Sequence, residues 1–98
     1  PMLLLRMLRQ TYVEVRAGVV ASTTRDTVMA RRIITEDGEL VRLYLLYKAH
    51  LERAIAADRY GAPRLTRLLL VGARLHHIGT AVVGIARTTL YTPPQLDE

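Results

Sequence analysis

The sequence predicts an α+β domain, a small antiparallel sheet packed against one long helix. Three observations carry that expectation. Residues 39–61, ELVRLYLLYKAHLERAIAADRYG, form the longest run with a single dominant helical periodicity. Shorter runs rich in Val, Ile and Thr stand on either side of it, and such residues favour pleated strands. Asp37-Gly38, just before the long run, is a strong two-residue hairpin signal. A mainly α bundle, with helices over 39–60 and 63–78, is the alternative reading.

The long helix has the clearest grammar. Leu40, Leu43, Tyr44, Tyr47, Leu51, Ala54 and Ile55 recur at spacings of three and four, so they share one face of a 3.6-residue helix. Glu36, Asp37 and Glu39 place negative charge where the helix dipole favours it. Gly61 suits a left-handed cap after the last turn, and Pro63 resists continuation. The beginning is ambiguous, because a strand over 39–47 could pair back across Asp37-Gly38 onto 31–35.

The rest of the chain reads as follows. Residues 1–10, PMLLLRMLRQ, are a short apolar run, strand or helix. In residues 11–21, TYVEVRAGVVA, Tyr12, Glu14 and Arg16 alternate with Val13, Val15 and Ala17, the period of a half-buried strand. Residues 22–26 are a polar break. Residues 27–35, TVMARRIIT, read as a third strand, with a short helix capped at Thr24 as the rival. Residues 63–79, PRLTRLLLVGARLHHIG, suit a helix with Pro63 in its first turn and Gly79 as its cap, or equally a strand. Residues 80–92, TAVVGIARTTLYT, favour a strand that ends at Pro93-Pro94. The tail over 93–98 is expected to fray.

Composition bounds the function classes. The chain has 98 residues, which predicts a single domain over 1–98. Half of the residues are hydrophobic, with five Tyr but no Phe or Trp, so aliphatic side chains must fill the core. A small aliphatic domain of this kind is expected to bury more surface as a homo-oligomer. The absence of cysteine excludes disulfides, zinc-thiolate sites and thiol nucleophiles, and it fits a cytoplasmic protein better than a small secreted one. No secretory leader is expected, because Arg6 and Arg9 interrupt the first apolar run. A membrane span over 68–86 is not expected either. An Arg near the bilayer centre, such as Arg74, costs about 2.5–3.5 kcal/mol even on the lenient insertion scale. Peripheral contact through an Arg-flanked apolar face is the one membrane role left open.

The net charge is +5, and thirteen of the fourteen basic residues are Arg. Guanidinium groups bind phosphate and carboxylate in pairs of hydrogen bonds, so this balance suits an anionic partner, nucleic acid first. The candidate nucleic-acid-binding residues are Arg31, Arg32, Arg64, Arg67 and Arg74. On a helix, Arg64, Arg67 and Arg74 form a basic ridge. The competing reading is a solvated basic surface without a ligand. Tyr44, Tyr47 and Tyr60 have the rings to stack on bases, but the helical spacing of Tyr44 and Tyr47 assigns them to a core.

Catalytic signals are weak. Pro1 at the start of PMLLL resembles the tautomerase superfamily, in which an N-terminal proline amine opens a strand and serves as acid or base. The resemblance stops there, since that family places a helix where residues 11–21 read as a strand, and Pro1 ahead of Met2 reads as a tag remnant. His50, His76 and His77 have no carboxylate at a metal-ligand spacing, so no metal or cofactor is expected. Ser22 lacks a nucleophile-elbow context, and Gly72, Gly79 and Gly84 lack a phosphate-loop spacing. The expected function is therefore a small basic, non-enzymatic binding module, with a protein–protein interaction or oligomerisation role as the alternative. A small enzyme or ligand carrier with an apolar pocket, walled by Pro1, His50 or His76, comes third.

Overall fold

The computed structural model describes residues 2–57 and 61–91. Three α-helices account for almost all of them: α1 (Met2–Thr24), α2 (Thr27–Ala57) and α3 (Ala62–Tyr91). They form an elongated up-down-up bundle of 58 × 18 × 16 Å. All three pack on one another, and α1 and α3 run parallel. The expected sheet is absent from the described residues, so the α+β expectation is wrong. The architecture is the mainly helical bundle of the second reading, with helices longer than that reading gave them.

The reason lies in a heptad pattern that the β-branched residues conceal. In α1, Met7, Thr11, Glu14, Gly18 and Ala21 are buried, at spacings of four and three. In α3, Gly72, Leu75, Gly79, Val82 and Ala86 repeat the same rhythm. The period-two alternation over 11–17 is real but short, and the three-four repeat runs the whole length of the helix. The threonines that argued for strands satisfy their hydroxyls within the helices. Thr11 donates to the Met7 carbonyl at 2.7 Å, Thr35 to Arg31 at 2.9 Å and Thr89 to Ile85 at 2.9 Å. Asp37-Gly38 makes no turn, and α2 runs straight through it.

The observed turns use different residues. Arg25 takes a left-handed φ of 57° and closes α1. Asp26 then caps α2, its Oδ1 accepting the Met29 amide at 3.0 Å. At the other end, Pro63 sits in the first turn of α3, as its missing N–H allows. Gly79 is a core residue of α3 rather than its cap. Pro1, the residues 58–60 that include Tyr60, and the tail 92–98 lie outside the described residues.

Two hydrophobic clusters fill the bundle. Met7, Leu40, Leu43, Tyr47, Leu51 and Leu75 form the one nearer the α2–α3 connection. Ala21, Ala30, Ile33, Val82 and Ala86 form the one nearer the α1–α2 turn. Glycines let the helices approach. A methyl group on Gly72 would stand 2.5 Å from the Tyr47 ring, and one on Gly79 would stand 2.5 Å from a Leu40 methyl. Tyr47 spans the α2–α3 interface and donates its hydroxyl proton to the Leu68 carbonyl at 2.7 Å.

Candidate functional site

The buried seam of α1 is the more polar of its two apolar stripes. Thr11 and Glu14 lie inside, while Leu5, Leu8, Tyr12, Val15 and Val19 lie exposed. The exposed set has its own heptad spacing of three, four, three and four. Val13 and Val20 widen it further around the helix. α3 exposes Leu70, Val71, Ile78 and Ile85 in the same way.

These two exposed sets meet along the α1/α3 side of the bundle. Gly18 faces Val82, since a methyl on Gly18 would come within 2.9 Å of Val82 Cγ1. The Glu14 carboxylate stands at the level of Gly79. Helix α2 lies on the other flank of each helix. Ala21 packs with Ala30 and Ile33, Arg6 reaches Glu39 at 3.8 Å, and His76 stacks on Tyr44 with centroids 4.6 Å apart. Leu8, Val15 and Val19 therefore flank α1 on its α3 side, and Val71, Ile78 and Ile85 flank α3 on its α1 side.

Charge follows the same division. α1 carries Arg6, Arg9 and Arg16, and α3 carries Arg64, Arg67, Arg74 and Arg87, all exposed. The only acidic residue in either helix is Glu14, which is 4% exposed. The acids of the described bundle surface belong to α2, as Glu36, Asp37, Glu39 and Glu52, and to the Asp26 cap. On α2 two of them find local partners. Glu39 accepts two hydrogen bonds from Arg42, at 3.1 and 2.9 Å, and these hold its carboxyl below the usual range. Arg32 lies 3.3 Å from Glu36.

The five candidate arginines thus divide into two groups. Arg64, Arg67 and Arg74 share the exposed face of α3, as the ridge requires. Arg31 and Arg32 sit on α2, roughly 24 Å along the axis from the level of Tyr47 and Leu68. There they line an open hollow of about 430 Å3 together with Asp26 and Glu36. The carboxylates in that hollow make it a poor phosphate site.

Glu14 is a residue that the strand reading of 11–21 places in solvent. Both of its oxygens are buried without a hydrogen-bond partner. Burial raises its pKa to about 7, the Asp37 charge adds to the rise, the Gln10 amide offsets part of it, and Glu36 adds a little more. A sequence signal for it exists: on a helix, Glu14 falls seven residues after Met7, in phase with the core.

Among the described residues, chemistry-bearing side chains do not converge elsewhere. His50 is exposed on α2, and His76 is engaged with Tyr44. Among the described residues, no group of His, Asp and Glu could hold a metal ion. α3 is long and apolar enough to cross a membrane by length and composition, with 28% of its most apolar window buried in the bundle. Comparison with known proteins returns nothing similar to this chain, whether among family models, curated proteins or solved structures.

Proposed function

We propose that the protein is a non-enzymatic binding module that offers the α1/α3 face of its bundle to an anionic partner. One observation carries this reading. Two of the three helices expose seven arginines and no carboxylate, while the exposed acids of the described bundle belong to α2 and its cap. Arg6 turns toward Glu39, and Arg87 lies on the α2 side of α3, eleven residues after the His76 that stacks on Tyr44, which leaves Arg9, Arg16, Arg64, Arg67 and Arg74 to supply the potential of the face. Such a one-signed surface steers an oppositely charged partner and holds it in a salt-dependent way.

Pairing with a second copy of the chain is the other reading. The Leu5, Leu8, Tyr12, Val15, Val19 stripe favours it, because that spacing matches a coiled-coil seam. Charge opposes it. Arg9 and Arg16 border the stripe, and a symmetric α1–α1 contact brings them together with no acid to neutralise them.

The test is a salt titration of binding to two polyanions, duplex DNA and vesicles containing phosphatidylserine. At least one should bind and be released by salt. The R64Q/R67Q/R74Q variant should weaken that binding on the order of 100-fold, at about 1 kcal/mol for each arginine near an anionic surface. Binding to neither, or binding indifferent to both salt and the triple substitution, would contradict the proposal.

A further inference from the structure

We infer that the anionic partner is a lipid surface, and that the bundle lies on it with the α1/α3 side down. This rests on the proposed function and narrows it to one partner. The reason is the mixture of side chains on the face. Between Arg67 and Arg74 stand Leu70 and Val71, and beyond Arg74 stands Ile78, all exposed. Between Arg9 and Arg16 stand Tyr12 and Val15, also exposed. A hydrated sugar-phosphate backbone leaves those aliphatic side chains in water. A bilayer interface takes both kinds of group, the aliphatic ones among the acyl chains and the guanidinium groups among the phosphates.

Breadth separates a bilayer from a partner helix. A coiled-coil partner covers one narrow seam. Here Val71, Ile78 and Ile85 continue the apolar arc of α1 onto α3, so the surface is two helices wide. Arg9 and Arg16 border the arc, where flexible stems let the charged heads reach up to the headgroups. Tyr12, 67% exposed, has the apolar body and polar tip favoured at that depth. The carboxylates of α2 then sit on the helix farther from the negative surface. The arrangement is peripheral, because the buried sides of α1 and α3 stay packed on α2.

The experiment is sedimentation of the full chain with vesicles of phosphatidylcholine alone and of phosphatidylcholine with phosphatidylserine, with duplex DNA and polyglutamate as separate ligands. The Y12Q/V19Q variant removes two exposed apolar groups from the face. L45Q removes one from the outer side of α2 as a control, and circular dichroism establishes that each variant stays helical. The expected result is binding to phosphatidylserine vesicles, little to phosphatidylcholine alone, release by high salt, about tenfold weakening in Y12Q/V19Q and none in L45Q. Binding to DNA or polyglutamate without vesicle binding overturns the lipid assignment and leaves the broader reading standing. Binding to no anion overturns both. Equal weakening by L45Q, or retention on the vesicles in high salt and alkaline carbonate, overturns the peripheral α1/α3 orientation.

Discussion

Glu14 sits where the two hydrophobic clusters meet, facing Gly79 and Leu40, with Asp37 and Glu36 across from it on α2. Its pKa of about 7 lies above its ordinary value, so the folded bundle holds the proton more tightly than the unfolded chain does. The stability that this proton confers is therefore complete at acid pH. It drains away as pH rises from about 4.5, and is gone above about 7. Ionised Glu14 costs the fold on the order of 2–3 kcal/mol. The unfolding temperature should accordingly fall between pH 5 and pH 8. The Glu14→Gln variant should lose most of that dependence and unfold at a higher temperature than the parent at pH 8. Thermal melts of both proteins at the two pH values check this, and parallel pH profiles would show that Glu14 does not titrate in the window. Nothing in the strand reading of 11–21 could have found the residue, because alternation sends Glu14 outward with Tyr12 and Arg16.

The helices differ in how openly the sequence announces them. The phase of Leu40, Leu43, Tyr47 and Leu51 was legible, since large apolar residues mark the buried side and charged ones the outside. In α1 and α3 that contrast fails. Valines and leucines occupy the exposed arc, while glycine, threonine and glutamate occupy the seam, so the usual inside-outside code is partly inverted. The basic ridge of Arg64, Arg67 and Arg74 was legible as a helical pattern, but its apolar company needed the bundle to be seen. Glycine roles divide along the same line. Nothing lies within 4 Å of a methyl placed on Gly38, whereas one on Gly72 meets the Tyr47 ring. Gly38→Ala should therefore stabilise the protein by about 0.5–1 kcal/mol through helix propensity alone. Gly72→Ala should destabilise it by about 1–3 kcal/mol, because Tyr47 is held in place by its bond to Leu68 and has little room to yield. Chemical denaturation of the two variants decides the matter, and a stabilised Gly72→Ala would mean that the α2–α3 contact is looser than described.

At the scale of the whole molecule, the bundle sorts its surface by helix. α2 carries the exposed acids and pairs two of them locally, and α1 with α3 carries arginine and aliphatic side chains together. A contiguous apolar surface of this kind on a small protein marks an interaction site, and its charge selects for negative partners. The chain has no cysteine, so a single introduced one labels a unique position. An environment-sensitive fluorophore on Val15→Cys reports the α1/α3 face, and the same fluorophore on Ala49→Cys, exposed and opposite the buried Leu40 side, reports the outer face of α2. On addition of phosphatidylserine vesicles, the label at position 15 should shift to the blue and lose its quenching by aqueous iodide, while the label at position 49 should change little. Burial of the label at position 49 instead, or no change at either position, would contradict the account.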